Sequence, residues 1–408
     1  MKTRDAFELT IALCRREGAA GSGDGRVGLL GRAADRTAFH AYAMRQGVLG
    51  LALSTLRRQA HPFDGATINA ILAPLRTLSQ QARLWDMERN RVLALLAREG
   101  LSPVLLKGAA LRVTTYRAAV ERPVGDLDLL VPAEEMDRTV ERLLAAGYRM
   151  PESAAAIEGF REHHFHLPMH HPNGFEAELH WALTPRATTH RLDHDDFIAR
   201  ARTAEVDGLA VRLPIPEHML LHLSSQNTED HFSKLRRIVD IDRVIASGEP
   251  DWEFVIAEAR RGGLEAPTAL SLQLAHHLFG TSIPAALPAR LGVGRTTRAA
   301  LALLEPVSTL ATGRGPTRAV ARFLQEVWLA PAAARAQHLK RVVAGEDDPL
   351  EWLWRGEEEA QSPPAERRRG VRLAAALALY QCWIVLCAPA SAATADGRRD
   401  LRIWDRAA

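Results

Sequence analysis

The sequence has only three cysteines among 408 residues, Cys14, Cys382 and Cys387, and none stands at metal-ligand spacing from another. That excludes a disulfide framework and a thiolate zinc site, and it makes a reducing cytoplasm the expected compartment. A surplus of one charge is also missing: 52 Lys and Arg stand against 49 Asp and Glu, for a formal net charge of +3. Arginine far outnumbers lysine, so the surface is guanidinium-rich without the basic excess that nucleic-acid binding brings. Nucleic acid is therefore not an expected partner. Glu8, Arg15, Arg16 and Glu17 interrupt any early apolar stretch before it reaches signal-peptide length, so no export signal is expected.

Long apolar runs are scarce, with one exception. Leu373 to Ala390 is nearly all apolar and follows Arg367, Arg368 and Arg369, an order that fits the positive-inside pattern. The run is shorter than the ~20 residues of a spanning helix, carries Gln381 and contains Pro389. A buried packing helix is preferred over membrane association.

What is present is ample for two or three domains, with 47% apolar and 25% charged residues. From Ala6 to Arg98 apolar residues recur at helical spacing, as in Leu84, Met87, Val92, Leu93 and Leu96, with Gly21 to Gly31 expected as a loop. The texture then changes. Val104, Leu105 and Leu106 form a short strand closed by Lys107 and Gly108, and a helix is expected over Ala109 to Arg117. Asp126 to Val131 alternates as a strand, and a helix from Ala133 to Ala146 stops at Gly147. His164 to His170 and Phe175 to Trp181 flank a turn at Pro172, Asn173 and Gly174, the pattern of a hairpin. After Pro214 the pattern is helical again, with Glu217 to Ser224, Ser233 to Ile245, Trp252 to Arg260 and Pro267 to Phe279 as segments and Pro267 in a first helical position. The segment from Gly345 to Arg369 is charged, holds Pro363 and Pro364, and reads as a linker.

The chemistry concentrates in the middle. Asp126 and Asp128 leave one face of their strand while Leu127, Leu129 and Val131 leave the other. Two carboxylates forced together repel unless a cation lies between them, and oxygen ligands favour Mg2+ or Mn2+. On the hairpin, Glu176, Glu178 and His180 share a face opposite Phe175, Ala177, Leu179 and Trp181, so either glutamate could complete a three-carboxylate site. LLKGAAL ends a strand in a glycine that opens a helix, a cradle for phosphates to which Lys107 and Arg122 add positive charge. The cluster of His163, His164, His166, His170, His171 and His180 invites a zinc reading, but no pair has an HExxH context. Hydrogen bonding within the hairpin is the plainer role, with His180 supporting the carboxylates from behind. For Asp126 and Asp128 the plain alternative is a solvated strand edge. For Lys107 it is a snorkelling surface lysine. Asp240 could simply pair with Arg236 or Arg243 on its own helix.

The order LLKGAAL, RPVGDLDLLV, LLAAGY and FEAELHWAL resembles the uncharacterised nucleotidyltransferase family, a branch of the polymerase-β-type nucleotidyltransferase superfamily. The core resemblance spans Val104 to Leu183 and continues in helical form to about Pro284. It matches Gly108 to the turn glycine, Asp126 and Asp128 to the metal pair, and Glu178 to the third carboxylate. Lys107 stands where many superfamily members have a second glycine, and Arg122 precedes the acidic pair as the branch's arginine does. RRIVDIDRVI is similar to a branch motif through Asp240, whereas Gln226 and Arg237 stand where the branch would have His and Trp.

The resemblance implies an α+β fold, a central mixed β-sheet with N-terminal and C-terminal helical regions. The expected divisions are residues 1–98 (helical), 99–213 (catalytic core), 214–344 (helical) and 345–408 (linker and apolar helix). It also implies transfer of a nucleoside monophosphate from a nucleoside triphosphate to a small molecule, sugar or modified peptide. A binding protein that does not turn over, and a regulator or toxin that nucleotidylates protein or transfer RNA, are the other classes. Retention of three carboxylates weighs against the first and the modest net charge against the RNA form of the second.

Overall fold

The computed structural model describes residues 1–16, 25–151, 164–184, 190–229, 232–292 and 310. The apolar run Leu373 to Ala390, the linker, Cys382, Cys387 and His163 lie outside the described residues. The fold is α+β, a six-stranded mixed sheet with helical flanks.

The first flank is α1 (Thr3–Cys14), α2 (Ala33–Arg45), α3 (Leu49–Arg58), α4 (Gly65–Leu72) and α5 (Pro74–Arg98). Part of the expected glycine loop, Gly25–Gly31, is a 3-10 helix. Pro74 opens α5, where its missing N–H costs nothing. The buried stripe of α5 runs through Leu75, Ala82, Trp85, Arg89, Val92, Leu93 and Leu96. Leu84 and Met87, read from the sequence as part of that stripe, are 63% and 66% exposed. Val92, Leu93 and Leu96 are buried as expected, and Arg89 turns inward among them to pair with Asp86 and Asp207, its guanidinium over the Trp85 ring.

The strands are β1 (Val104–Leu105), β2 (Asp126–Leu130), β3 (His166–His170), β4 (Glu176–His180), β5 (Arg202–Val206) and β6 (Leu209–Leu213), in the order β3-β4-β2-β1-β6-β5. The β2–β4 and β1–β6 pairs are parallel and the other three antiparallel. Gly174 closes the β3–β4 hairpin at φ 86°. The β5–β6 hairpin, not anticipated from the sequence, turns on Asp207 and Gly208 at φ 50° and 79°, the consecutive left-handed pair that matches strand twist.

Between β1 and β2 lies α6 (Lys107–Thr114), and α7 (Met136–Ala145) follows β2. The second flank comprises α8 (His194–Ala199), α9 (Pro216–Glu229), α10 (Leu235–Ser247), α11 (Trp252–Gly262), α12 (Glu265–Phe279) and α13 (Leu287–Arg290). Pro267 is the third residue of α12, not the first, which still lies in the turn whose N–H groups have no helical partner. Leu127, Leu129 and Leu130 of β2 are fully buried, each contributing about 2 kcal/mol by transfer from water. Covering β2 on both faces leaves its acidic residues little room to reach bulk water. Among the described residues, no helix is long and apolar enough to cross a membrane.

Candidate active site

The site is made by strand register. Because β2 and β4 run parallel, Asp126 lies opposite Glu176 and Asp128 opposite Glu178, with their side chains on a common face. His180 stands opposite Leu130, yet its ring reaches back so that Nε2 is 2.9 Å from Asp128 Oδ1 and 3.3 Å from Glu178 Oε2. Ligand atoms of Asp128, Glu178 and His180 lie within 4.8 Å of one another, a spacing that could hold a metal ion. Asp126 is outside that trio but close enough to feel the charges of Asp128, Glu178 and Lys107.

Lys107 approaches from the other side of β2. It follows Leu106, the residue after β1, and takes φ 43°, a left-handed conformation that L-residues rarely adopt. A glycine would hold this backbone without strain. Its Nζ lies 2.6 Å from Asp128 Oδ1 and 4.0 Å from Glu178 Oε2, while the side chain keeps 20% exposure. Gly108 has an ordinary φ and matters for closeness instead: a Cβ there would meet Arg122 Nη1 at 3.1 Å and Val124 Cγ2 at 3.2 Å.

The charges are not balanced evenly. Burial pushes the Asp128 carboxyl up, but the Lys107 ammonium and the hydrogen bond from His180 override it and hold the group well below the usual carboxylate range. Asp126 goes the other way, raised by burial and then by the charges of Asp128 and Glu178. Burial disfavours the charged Lys107 amine, yet Asp128, Glu178 and Asp126 keep its pKa above the ordinary lysine value.

Arg122 and Asp240 meet each other. Arg122 Nε and Nη2 donate to Asp240 Oδ1 and Oδ2 at 2.7 and 2.8 Å, and Tyr116 donates its hydroxyl to Oδ1 at 2.6 Å. Asp240 thus pairs neither with Arg236 nor with Arg243, the partners expected on its own helix. The remaining Arg122 nitrogen, Nη1, donates to the Pro123 carbonyl, so the arginine ties α10 to the loop ahead of β2. Tyr116 carried no signal in the sequence. Neither did His222 on α9, which is fully buried with no hydrogen-bond partner on either ring nitrogen. Burial, then the positive charge of Lys107, holds it neutral.

A six-stranded mixed sheet with acidic residues in register on adjacent parallel strands is the frame of a nucleotidyltransferase domain. The chain belongs to the uncharacterised nucleotidyltransferase family, whose sequence model matches residues 32–280. No curated protein and no solved structure compared with the chain gave a match.

Proposed function

We propose that the protein moves a nucleoside monophosphate from a nucleoside triphosphate to a hydroxyl or phosphate of a small-molecule, sugar or modified-peptide acceptor. Asp126, Asp128 and Glu178 would hold a divalent cation, Mg2+ or Mn2+. The observation that carries this reading is the parallel β2–β4 register, which sets Asp128 beside Glu178 with Asp126 one pleat away. The donor set fits such an ion. Lys107 alone does not offset three clustered carboxylates, and the Asp126 pKa is raised by burial and then by the charges of Asp128 and Glu178.

When bound, the cation supplies charge neutralisation for the triphosphate and for the attacking oxygen. The chain's own residues do the rest. Glu178 would take the acceptor's proton as that oxygen forms its bond to the α-phosphorus and pyrophosphate departs. Lys107, whose side chain keeps 20% exposure, would offer its charge to the β- and γ-phosphates. Gly108 lets the first turn of α6 sit tightly against Arg122 and Val124, and Arg122 braces that turn from behind. Catalysis of this kind is positioning and electrostatics.

Calorimetry of triphosphate binding tests the reading. Binding should depend on divalent cation, and Asp128→Asn should weaken it by on the order of tenfold or more. Equal nucleotide affinity with and without the cation, in wild type and variant alike, would remove the metal from the proposal.

A further inference from the structure

The distances around His180 are those of a coordination polyhedron as much as of a hydrogen bond. Ligands at ~2.1 Å from an octahedral ion stand about 3.0 Å apart along each edge. His180 Nε2 lies 2.9 Å from Asp128 Oδ1 and 3.3 Å from Glu178 Oε2, so two edges of one face match such a shell, and ligand atoms of all three residues lie within 4.8 Å of one another. A cation already sits at one corner of that face: Lys107 Nζ is 2.6 Å from the same Asp128 oxygen and 4.0 Å from Glu178 Oε2. As the ring stands, Nε2 donates to Asp128, while the opposite nitrogen, Nδ1, is buried with no hydrogen-bond partner, so a cation at Nε2 would shift the ring proton to Nδ1 without breaking a bond there. His166 is placed differently. Its Nε2 lies 3.7 Å from the other oxygen of Glu178, outside the edge length, with its ring 5.0 Å from that of His180.

Resting on the metal-dependent reading above, we propose that His180 Nε2 is itself a ligand of the cation, and that the site takes Mn2+ or another transition-series divalent ion in preference to Mg2+. One imidazole among carboxylates moves a site along the transition-metal affinity series, whereas magnesium gains little from nitrogen and keeps to oxygen. Glu178 and Asp128 supply the oxygens and His180 the nitrogen that separates the two ions.

Electron spin-echo spectroscopy of the full-length protein loaded with Mn2+ tests this without reference to turnover. Directly bound imidazole should give nitrogen modulation in the wild type, retained in His166→Gln and lost in His180→Gln. The glutamine keeps an N–H for Asp128, so a merely supporting role would leave the metal preference unchanged. Paired titrations should show Mn2+ bound more tightly than Mg2+, with the ratio falling by on the order of tenfold in His180→Gln, chiefly through Mn2+. If that variant fails to fold, the wild-type spectrum decides. Tight Mn2+ binding without nitrogen modulation, or an unchanged ratio in a folded His180→Gln, overturns the inference while sparing the function. Failure of either ion to bind, with or without triphosphate, overturns the function itself.

Discussion

Lys107 Nζ lies 2.6 Å from Asp128 Oδ1, inside the carboxylate cluster, so the cation nearest to Asp128 is one the chain provides. The ammonium and an incoming metal ion compete for the same oxygen, whereas a bound triphosphate would draw the ammonium outward. Lys107→Met therefore acts in opposite directions. Affinity for Mn2+ alone should rise by roughly tenfold as a competing charge is removed, and affinity for the metal–triphosphate pair should fall by a similar factor. Titrations of ion and of nucleotide, done separately, check it; a change of the same sign in both would reject the exchange.

Arg122 and Asp240 form a buried, two-pronged pair that joins α10 to the loop before β2. Removing one partner strands the other, and Asp240→Asn or Arg122→Met should each cost about 3–5 kcal/mol in urea unfolding. The double variant Arg122→Met/Asp240→Leu should cost much less than the sum, because no buried charge is left alone. Additive losses would mean that each residue serves a separate partner.

The shared face of the candidate carboxylates was legible in the sequence because a strand's period of two forces Asp126 and Asp128 onto one side, and the hairpin turn was marked by Gly174. The neighbouring relationships were not legible. That β4 runs beside β2 is a long-range pairing that no local pattern encodes, and so is the reach of Arg122 across 118 residues to Asp240. In α5, Val92, Leu93 and Leu96 are buried as their spacing suggested, but Arg89 occupies a core position while Leu84 and Met87 are exposed. By contrast, the β5–β6 hairpin carried its own signal in Asp207 and Gly208, and went unread.

His190 gives the fold a pH dependence away from the candidate active site. Its Nε2 is hydrogen-bonded to the Ser225 hydroxyl, and burial, aided by Arg191, lowers its pKa from 6.5 to about 4. The unfolded chain takes up a proton below 6.5 that the native chain refuses until about 4, so this contribution is intact above 6.5 and lost as pH falls between the two. At ~1.4 kcal/mol per pH unit the loss totals about 3 kcal/mol. Urea midpoints at neutral and mildly acidic pH should fall less in His190→Gln than in wild type. Equal falls would show that this imidazole titrates freely in the native state.

The choice between Glu176 and Glu178 now rests on register. Glu178 faces Asp128 and Glu176 faces Asp126, and only the former also lies within 4.0 Å of Lys107 and 3.3 Å of His180. Glu176 instead has its oxygen 3.8 Å from His170 at the hairpin's exposed edge. Two glutamates on one strand face stand roughly 7 Å apart, so one ion cannot take both at the ~2.1 Å that magnesium requires. Glu178→Gln should therefore reduce transfer by at least ~100-fold with the melting temperature little changed, and Glu176→Gln should retain most activity. Turnover is to be measured at saturating metal, because a lost ligand can otherwise appear only as weaker metal affinity. Full activity in Glu178→Gln together with loss in Glu176→Gln would move the third carboxylate one pleat toward the hairpin turn, beside Asp126.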